Sequence, residues 1–365
     1  MKINGNYYRS LWREDSNCRL AVINQTLLPH RFEITHLNSV GDVIRAINSM
    51  IVRGAPLIGV TAAYGLVMAV RDNPANNAMI AACTDLVSTR PTAVNLRNCI
   101  DRLQKLLTAT EPAQRFEVAL KAADAMAEED VKIGLAIAKQ GFALISAAWK
   151  SKNRQSPVNI LTHCNAGWLA TVDWGTALAP IYLAHDSEIP VHVWVSETRP
   201  RNQGSFLTAL ELGWHGIPHT IVVDNAGGHL MQHGKVDLCI VGADRVTSIG
   251  DTANKIGTYL KALAAQDNSV PFYVALPSTT IDWLMADALS QIDIEERSAS
   301  EILSVAGLTE SGELSTIKLA PPGSTARNPA FDVTPARLIS GFITEFGIFR
   351  PEELKNGVQS HVMVK

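Results

Sequence analysis

The sequence has no surplus of basic charge. Its 32 Lys and Arg residues face 35 Asp and Glu, for a formal net charge of -3. That leaves no excess cation to grip a phosphate backbone, so nucleic acid is a poor candidate ligand. Cysteine is sparse: Cys18, Cys83, Cys99, Cys164 and Cys239 are odd in number, widely spaced and contain no C-x-x-C. This argues against a disulfide framework and a thiolate zinc site, and points to a cytoplasmic setting with reduced thiols. No apolar run approaches the ~20 residues of a membrane-spanning helix, so no membrane partner is expected. The opening MKINGNYYRSLW lacks the apolar stretch of a signal peptide.

Nucleotide motifs are also missing. No two of the 24 glycines sit two residues apart, which removes both the dinucleotide fingerprint and the kinase glycine loop. There is no G-x-x-x-x-G-K-[ST] either, and the turn Asp224–His229 reads as a tight connection after a strand. No H-E-x-x-H occurs. The pairs His215/His219 and His229/His233 have i,i+4 spacing, but Pro218 and nearby glycines are expected to break any helix that would align them. No metal is expected.

What remains is a chain with 47% hydrophobic and 18% charged residues, values of a globular protein with a sizeable core. Its 365 residues suggest about two domains. Asp42 to Met50 reads as an amphipathic helix, and Leu57 to Val70, entered through Pro56, as a buried one. A long helix is expected over Ala125 to Lys150. From Pro157 the pattern becomes strand–loop–helix, with short apolar runs at Val158–Thr162, Val191–Val195, Thr220–Val223, Leu238–Val241 and Phe272–Leu276. The expected organisation is a small N-terminal domain (1–124), a connecting helix and linker (125–156), and a parallel-sheet domain (157–365). Residues 299–327 have little pattern and read as a long connection.

Polar loops after these strands share the carboxyl edge of such a sheet, where ligands bind. Thr162-His163-Cys164-Asn165-Ala166-Gly167 puts a cysteine at a strand's end, before a loop and a helix start. Backbone N–H groups and a helix dipole stabilise a thiolate there, fitting a nucleophile or general base; a small buried hydrophobe is the alternative. Asp244, in Gly242-Ala243-Asp244-Arg245, falls on the same edge. Shielded from water it holds its proton and serves as an acid; otherwise it pairs with Arg245 or caps a helix. Gly250 to Lys255 reads as a helix start, with Asn254 and Lys255 in its first turn. A lysine there opposes the dipole, which hints at a nearby anion. Arg53-Gly54-Ala55-Pro56 offers an arginine and a helix N-terminus, while Arg90 and the loop Glu197–Gly204 add donors. Together these describe a small phosphorylated ligand held between two domains beside a thiol and a carboxyl group.

The chain resembles the methylthioribose-1-phosphate isomerases. They belong to a superfamily that includes ribose-1,5-bisphosphate isomerases and the regulatory subunits of the initiation-factor guanine nucleotide exchange factor. The resemblance runs in order through Met50–Pro56, Arg90–Leu96, Thr162–Gly167, Glu197–Pro200, Gly242–Arg245 with Gly250-Asp251, Ile294–Arg297 and Asn328–Pro335. It implies an α/β protein with a Rossmann-like C-terminal domain and a smaller mixed α+β N-terminal domain, assembled as a homodimer without cofactor. It places the catalytic pair on Cys164 and Asp244. Substrate-binding positions fall on Arg53, Gly54, Ala55, Arg90, Gln203, Asn254 and Lys255. The implied activity is aldose–ketose isomerisation of a 5-modified ribose 1-phosphate, most readily 5-methylthioribose 1-phosphate of methionine salvage. A 5-deoxyribose 1-phosphate isomerase and a non-catalytic exchange-factor subunit are the alternatives. Trp168, Ser196 and Ile249 depart from the family pattern and bear, as expectations, on which C5 group is accepted. Phosphate on the anomeric oxygen blocks spontaneous ring opening, so an acid must protonate the ring oxygen. Hydrogen then moves from C2 to C1 either as a proton through a base or as a hydride, and the residues leave both routes open.

Overall fold

The computed structural model describes residues 1–3, 5–90 and 93–362, so Pro91 and Thr92 of the Arg90–Leu96 motif lie outside the described residues. Three strands, β1 (Leu11–Arg13), β2 (Leu20–Ile23) and β3 (Ile34–Leu37), form an antiparallel sheet with the fully buried β2 in the middle. Helix α1 (Val40–Asn48) starts slightly before the expected Asp42 because Ser39 caps it. The Ser39 hydroxyl accepts the Asp42 amide and the Asp42 carboxylate accepts the Ser39 amide, a reciprocal cap that satisfies two orphan donors. Helix α2 (Ala55–Asp72) has Pro56 in its first turn and is buried along most of its length, as expected for a helix apolar on all sides. Gly54 before it has φ +101°, and a Cβ there would sit 2.3 Å from the Ala170 carbonyl oxygen. Only glycine lets the start of α2 press against that segment.

Helices α3 (Asn76–Ser88) and α4 (Val94–Thr108) complete this layer, followed by α5 (Arg115–Ser151). α5 begins at Arg115 rather than Ala125, since Ala119, Ala123 and Met126 carry the helical apolar spacing back toward Pro112. It is shared between two cores. Ala119, Ala123, Met126 and Ala127 pack with α2 and α4, whereas Ile137 and Ile145 pack with the parallel sheet. By length and composition alone, part of α5 is apolar enough to cross a membrane.

All five expected strands of the second half are present: β4 (Val158–His163), β5 (Val191–Ser196), β6 (His219–Val222), β7 (Leu238–Val241) and, after the intervening elements, Phe272–Ala275. They lie parallel, in one sheet. Helices α6 (Ala179–Asp186), α7 (Ala209–Trp214) and α8 (Ala226–Gln232) connect them. The Asp224–His229 turn thus leads into a helix, and the rings of His229 and His233 come within 4.2 Å of each other, tilted by 44°, at its end instead of being separated by glycines. Their expected misalignment does not hold, because Gly227 and Gly228 sit within the first turns of α8 without breaking it.

Beyond β7 the chain departs from expectation. β8 (Arg245–Thr247) and β9 (Thr252–Lys255) form an antiparallel hairpin, with Ala253 opposite Arg245. The expected helix start at Gly250 is therefore a strand, and the helix α9 (Thr258–Asp267) begins only after Gly257, whose φ is +98°. After α9 come β10 (Phe272–Ala275), the hairpin β11 (Ser304–Leu308) and β12 (Leu314–Lys318), then β13 (Phe331–Thr334), β14 (Gly341–Thr344) and β15 (Gly347–Phe349). The hairpin replaces the long connection expected over 299–327. It pairs Ser304 through Leu308 with Lys318 through Leu314, and its mostly exposed residues gave no apolar alternation to read. β13 pairs with β9. The large sheet runs β15-β14-β10-β7-β4-β5-β6, parallel except for the β15 edge. The chain enters it in the middle at β4, winds outward through β5 and β6, and returns to the opposite side of β4 at β7.

Arg115 ties the helical layer together. It is 2% exposed, and its guanidinium donates to the carbonyls of Leu107 (3.0 Å), Thr110 (3.1 Å) and Pro74 (2.5 Å) and to Asn76 Oδ1 (2.5 Å). Arg115→Met leaves these buried acceptors without a donor. It is expected to lower unfolding free energy by about 2–4 kcal/mol, with Arg115→Lys intermediate. Urea unfolding of the three proteins checks this, and unchanged midpoints would mean that the acceptors find other donors.

Candidate active site

The reversal of winding between β4 and β7 opens a crevice at the carboxyl ends of these two central strands, the place where open parallel sheets bind ligands. Cys164 is the residue after β4, and Asp244 follows β7 by three positions. Both line one cavity of about 100 Å³, as do Arg53, Gly54, Ala55, Arg90, Gln203, Asn254 and Lys255. The structure therefore brings all nine sequence-derived candidates together. Met50, Arg53 and the start of α2 form one wall, and the sheet edge with β9 forms the other.

Cys164 is held in a conformation rare outside glycine, with φ +65°. Two threonine hydroxyls clamp its peptide groups. Thr198 Oγ1 accepts the Cys164 amide at 2.9 Å, and Thr208 Oγ1 donates to its carbonyl at 2.7 Å. The thiol donates to Gln203 Oε1 at 3.4 Å. No α-helix begins at Cys164; after a single 3-10 turn (Trp168–Ala170) the next one is α6. The expected helix dipole is absent, and burial pushes the thiol pKa up, against the opposing pull of Arg53 and Lys255. The expectation of a stabilised resting thiolate is thus overturned by desolvation.

Asp244 is anchored by its backbone amide, which donates to the Ala253 carbonyl across the β8–β9 hairpin at 3.0 Å. Burial raises its carboxyl pKa; Lys255, Arg90 and Arg53 pull it down and Glu295 adds to the rise. The next residue, Arg245, reaches Asp282 Oδ2 at 3.8 Å. Burial lowers the Lys255 and Arg53 pKa values, with Cys164 and Asp244 opposing. The four groups thus share one electrostatic environment.

The cations are fixed from different elements. Lys255 Nζ donates to the Ala330 carbonyl at 2.9 Å and lies 4.7 Å from the centre of the Phe331 ring, its neighbour across β9 and β13. It comes to the cavity on a strand, not on a helix turn, so the dipole argument for an anion falls away while the cation remains in place. Asn254 Nδ2 donates to Thr258 Oγ1 at 3.0 Å. Arg90 donates to Glu295 Oε2 at 3.2 Å and lies 3.1 Å from Met50 Sδ. Arg53 donates both to the side-chain oxygen of Asn165 and, at 2.8 Å, to its carbonyl. Of the Glu197–Gly204 loop only Gln203 lines the cavity. Arg199 and Arg201 instead bind residues 301 and 302, through the Ile302 carbonyl at 2.9 Å and Glu301 Oε1 at 2.9 Å.

His163, which also lines the cavity, was not singled out as a site group. His163 is fully buried, and its Nε2 faces the Ile256 carbonyl at 2.7 Å. Burial, reinforced by Lys261, pushes its pKa down to about 3 and keeps it neutral. The signal was its place beside Cys164 in the same motif. Trp168, Ser196 and Ile249 are all away from the cavity wall. Trp168 is buried against Trp214 at 6.0 Å, Ser196 donates to Asp224 Oδ1 at 2.9 Å, and Ile249 is 52% exposed in the β8–β9 turn. Their expected bearing on the C5 group finds no geometric support.

The chain is 58% identical over 361 residues to a methylthioribose-1-phosphate isomerase from Gluconobacter oxydans, covering 99% of this chain and 98% of that one. A second isomerase of that name, from Acidiphilium cryptum, is 57% identical over 97% of this chain and 96% of its own. The crystal structure of 5-methylthioribose 1-phosphate isomerase from Pyrococcus horikoshii OT3 superposes with a TM-score of 0.81 at 35% identity, covering the whole of both chains. A translation initiation factor eIF-2B subunit delta from A. fulgidus superposes with a TM-score of 0.77 at 36% identity, over 95% of this chain and 97% of that one. Residues 51–351 match the model of one family over most of the chain. The chain belongs to the initiation factor 2 subunit family.

Proposed function

We propose that this protein is an aldose–ketose isomerase that converts 5-methylthioribose 1-phosphate to the corresponding ribulose 1-phosphate. One observation carries the reading: the Asp244 carboxyl, whose pKa desolvation raises, and the buried Cys164 thiol, from the two strands flanking the sheet's reversal, line one cavity with Arg53, Arg90, Arg245 and Lys255. The relatives at 57–58% identity favour methylthioribose as the C5-modified sugar. Met50, Ile58, Ala93 and Phe331 give the cavity apolar surface suited to a thioether. We further read the protein as a Rossmann-like C-terminal unit and a smaller N-terminal unit that together close the cavity.

In this reading Arg53, Arg90 and Lys255 neutralise the phosphate, and the amides at the start of α2, around Gly54 and Ala55, face it with the helix dipole. Asp244, kept protonated by burial, gives its proton to the ring oxygen as the bond from C1 to that oxygen breaks. C1 becomes electron-poor while still carrying its phosphate. The C2 hydrogen then migrates with its electron pair to C1, and the C2 hydroxyl returns a proton to the Asp244 carboxylate as the ketone forms. The proton route instead requires a resting base at C2, and burial holds Cys164 as a thiol that donates to Gln203. The hydride route therefore agrees better with the site. Cys164 contributes as a neutral polar group against the reacting carbons.

Incubation with methylthioribose 1-phosphate is expected to yield a ketose. Asp244→Asn and Cys164→Ser should each lower kcat by at least ~10²-fold, as for loss of a positioned acid or polar partner. Wild-type turnover in either variant removes that residue from the mechanism. Because Asp244 acts protonated, kcat/KM should hold at low pH and fall as pH rises through its elevated pKa. A fall toward low pH would assign Asp244 a basic role.

Turnover in deuterated water separates the two routes. Product without deuterium at C1 is expected; label at C1 would require a base at C2. Comparison of kcat/KM for the 1-phosphates of methylthioribose and 5-deoxyribose measures what the apolar wall contributes, and equal values would exclude a thioether-specific contact.

A further inference from the structure

Arg53 reaches the cavity from the segment before α2, but the acceptors that hold its guanidinium belong to Asn165. Nη1 donates to the Asn165 side-chain oxygen and Nη2 to the Asn165 carbonyl at 2.8 Å. A side-chain amide has a donor end and an acceptor end, so its orientation decides whether Arg53 meets an oxygen or a second N–H group. At the far end, Asn165 Nδ2 donates to Glu211 Oε2 at 3.0 Å and to Thr208 Oγ1 at 3.2 Å.

Glu211 is 1% exposed and does not line the cavity. Its other oxygen accepts the Leu169 amide at 2.6 Å, and Tyr182 Oη lies 3.1 Å from Oε2. The backbone makes room for this carboxylate, since a Cβ on Gly167 would fall 1.7 Å from Oε2. The helix that carries it opens with a π turn over Gly204–Thr208 before α7. That wider turn sets Gln203 at the Cys164 thiol, Thr208 at the Cys164 carbonyl and Glu211 at Asn165, the local use of a π turn common at functional sites.

We propose that Glu211 is a positioning residue for substrate binding: accepting from the Leu169 amide on one oxygen and from Asn165 Nδ2 on the other, it fixes the Asn165 amide so that the amide oxygen faces Arg53. The inference rests on the reading that Arg53 binds the sugar phosphate. Replacing Glu211 by Gln keeps the shape but supplies one donor and one acceptor to a place that needs acceptors on both sides. Either the Leu169 amide or Asn165 Nδ2 then meets an N–H group. Relief comes from turning the Asn165 amide, which points its N–H groups at Arg53.

The compensating change is Asn165→Asp in the Glu211→Gln background. It puts acceptors toward both Arg53 and the new Gln. Steady-state kinetics on methylthioribose 1-phosphate compare wild type, E211Q, N165D and the double variant, with thermal midpoints measured alongside. The expected result is that KM rises about tenfold in E211Q, equivalent to one charge-assisted contact, while kcat changes less than about threefold, as for lost uniform binding. The double variant should return KM to within about threefold of wild type.

An unchanged KM in E211Q overturns the proposal, and so does a double variant no better than the singles or a loss confined to kcat. If E211Q does not fold, the comparison of N165D with the double variant carries the same test. Titration of inorganic phosphate into the four proteins reads Arg53 independently of turnover. A wild type that makes no ketose refutes the isomerase reading alone, and the same rank order in phosphate affinity then decides the inference.

Discussion

The parallel sheet reverses its winding once, and the chemistry of the site depends on that reversal. Strands β4 and β7 are neighbours in the sheet although β5, β6 and three helices lie between them in sequence. Their carboxyl ends therefore diverge into loops with room between them, and the residues placed there are Cys164 and Asp244. Open crevices of this kind are where such sheets bind ligands. Here the N-terminal wall closes the crevice with Arg53 and the start of α2, and the enclosure changes the groups inside it. Removal from water raises the pKa of both the thiol and the carboxyl and lowers those of Arg53 and Lys255. The mutual attraction of these groups opposes every one of those shifts. A phosphorylated ligand would supply negative charge to match the cavity's cations, since the same desolvation favours the neutral acid and thiol.

The sheet and its edge were legible because they follow from local chemistry. Short apolar runs such as Val191–Val195 and Leu238–Val241, separated by helix-length gaps, are the pattern of a parallel sheet covered on its faces by helices. The polar loop after each one then marks the ligand edge, so Cys164 and Asp244 could be placed together from sequence alone. The helix start at Arg53–Pro56 was equally plain, since Pro56 and Gly54 restrict the backbone directly. What failed were readings in which a neighbour elsewhere in the chain decides the conformation. Thr252–Lys255 precedes a helix and has a helix-like cap, but β13 lies alongside it and Gly257 turns the chain before α9 begins. Tertiary pairing outweighed local propensity there. The same holds for the hairpin of β11 and β12, whose exposed faces leave no apolar alternation to read.

Side-chain electrostatics were less legible still. Position at a strand end argued for a stabilised thiolate at Cys164, but the pKa of a buried group depends on everything that surrounds it. No helix begins at Cys164, and the cations that counter its burial come from residues more than a hundred positions before it and about ninety after it (Arg53, Lys255). Glu211 illustrates the point from the other direction. It looks in sequence like any acidic residue of a short helix, and its importance arises only when the fold buries it against Asn165 and the Leu169 amide.

The initiation-factor subunit and the isomerase that superpose on this chain do so at 36% and 35% identity, with TM-scores of 0.77 and 0.81. Similarity of that order is shared by proteins bearing different names, so the backbone alone does not select a reaction. What separates an enzyme from a binding subunit on such a scaffold is a small set of side chains: an acid whose pKa desolvation raises, a cysteine whose backbone is clamped at φ +65° by two threonines, and cations held by neighbouring acceptors. Each is costly to maintain. A left-handed non-glycine residue costs of order 1–3 kcal/mol, and buried charges must be matched by partners. A chain that needs only its surfaces for assembly gains nothing from bearing those costs. Their joint presence around one cavity is the physical argument for catalysis that fold similarity cannot supply.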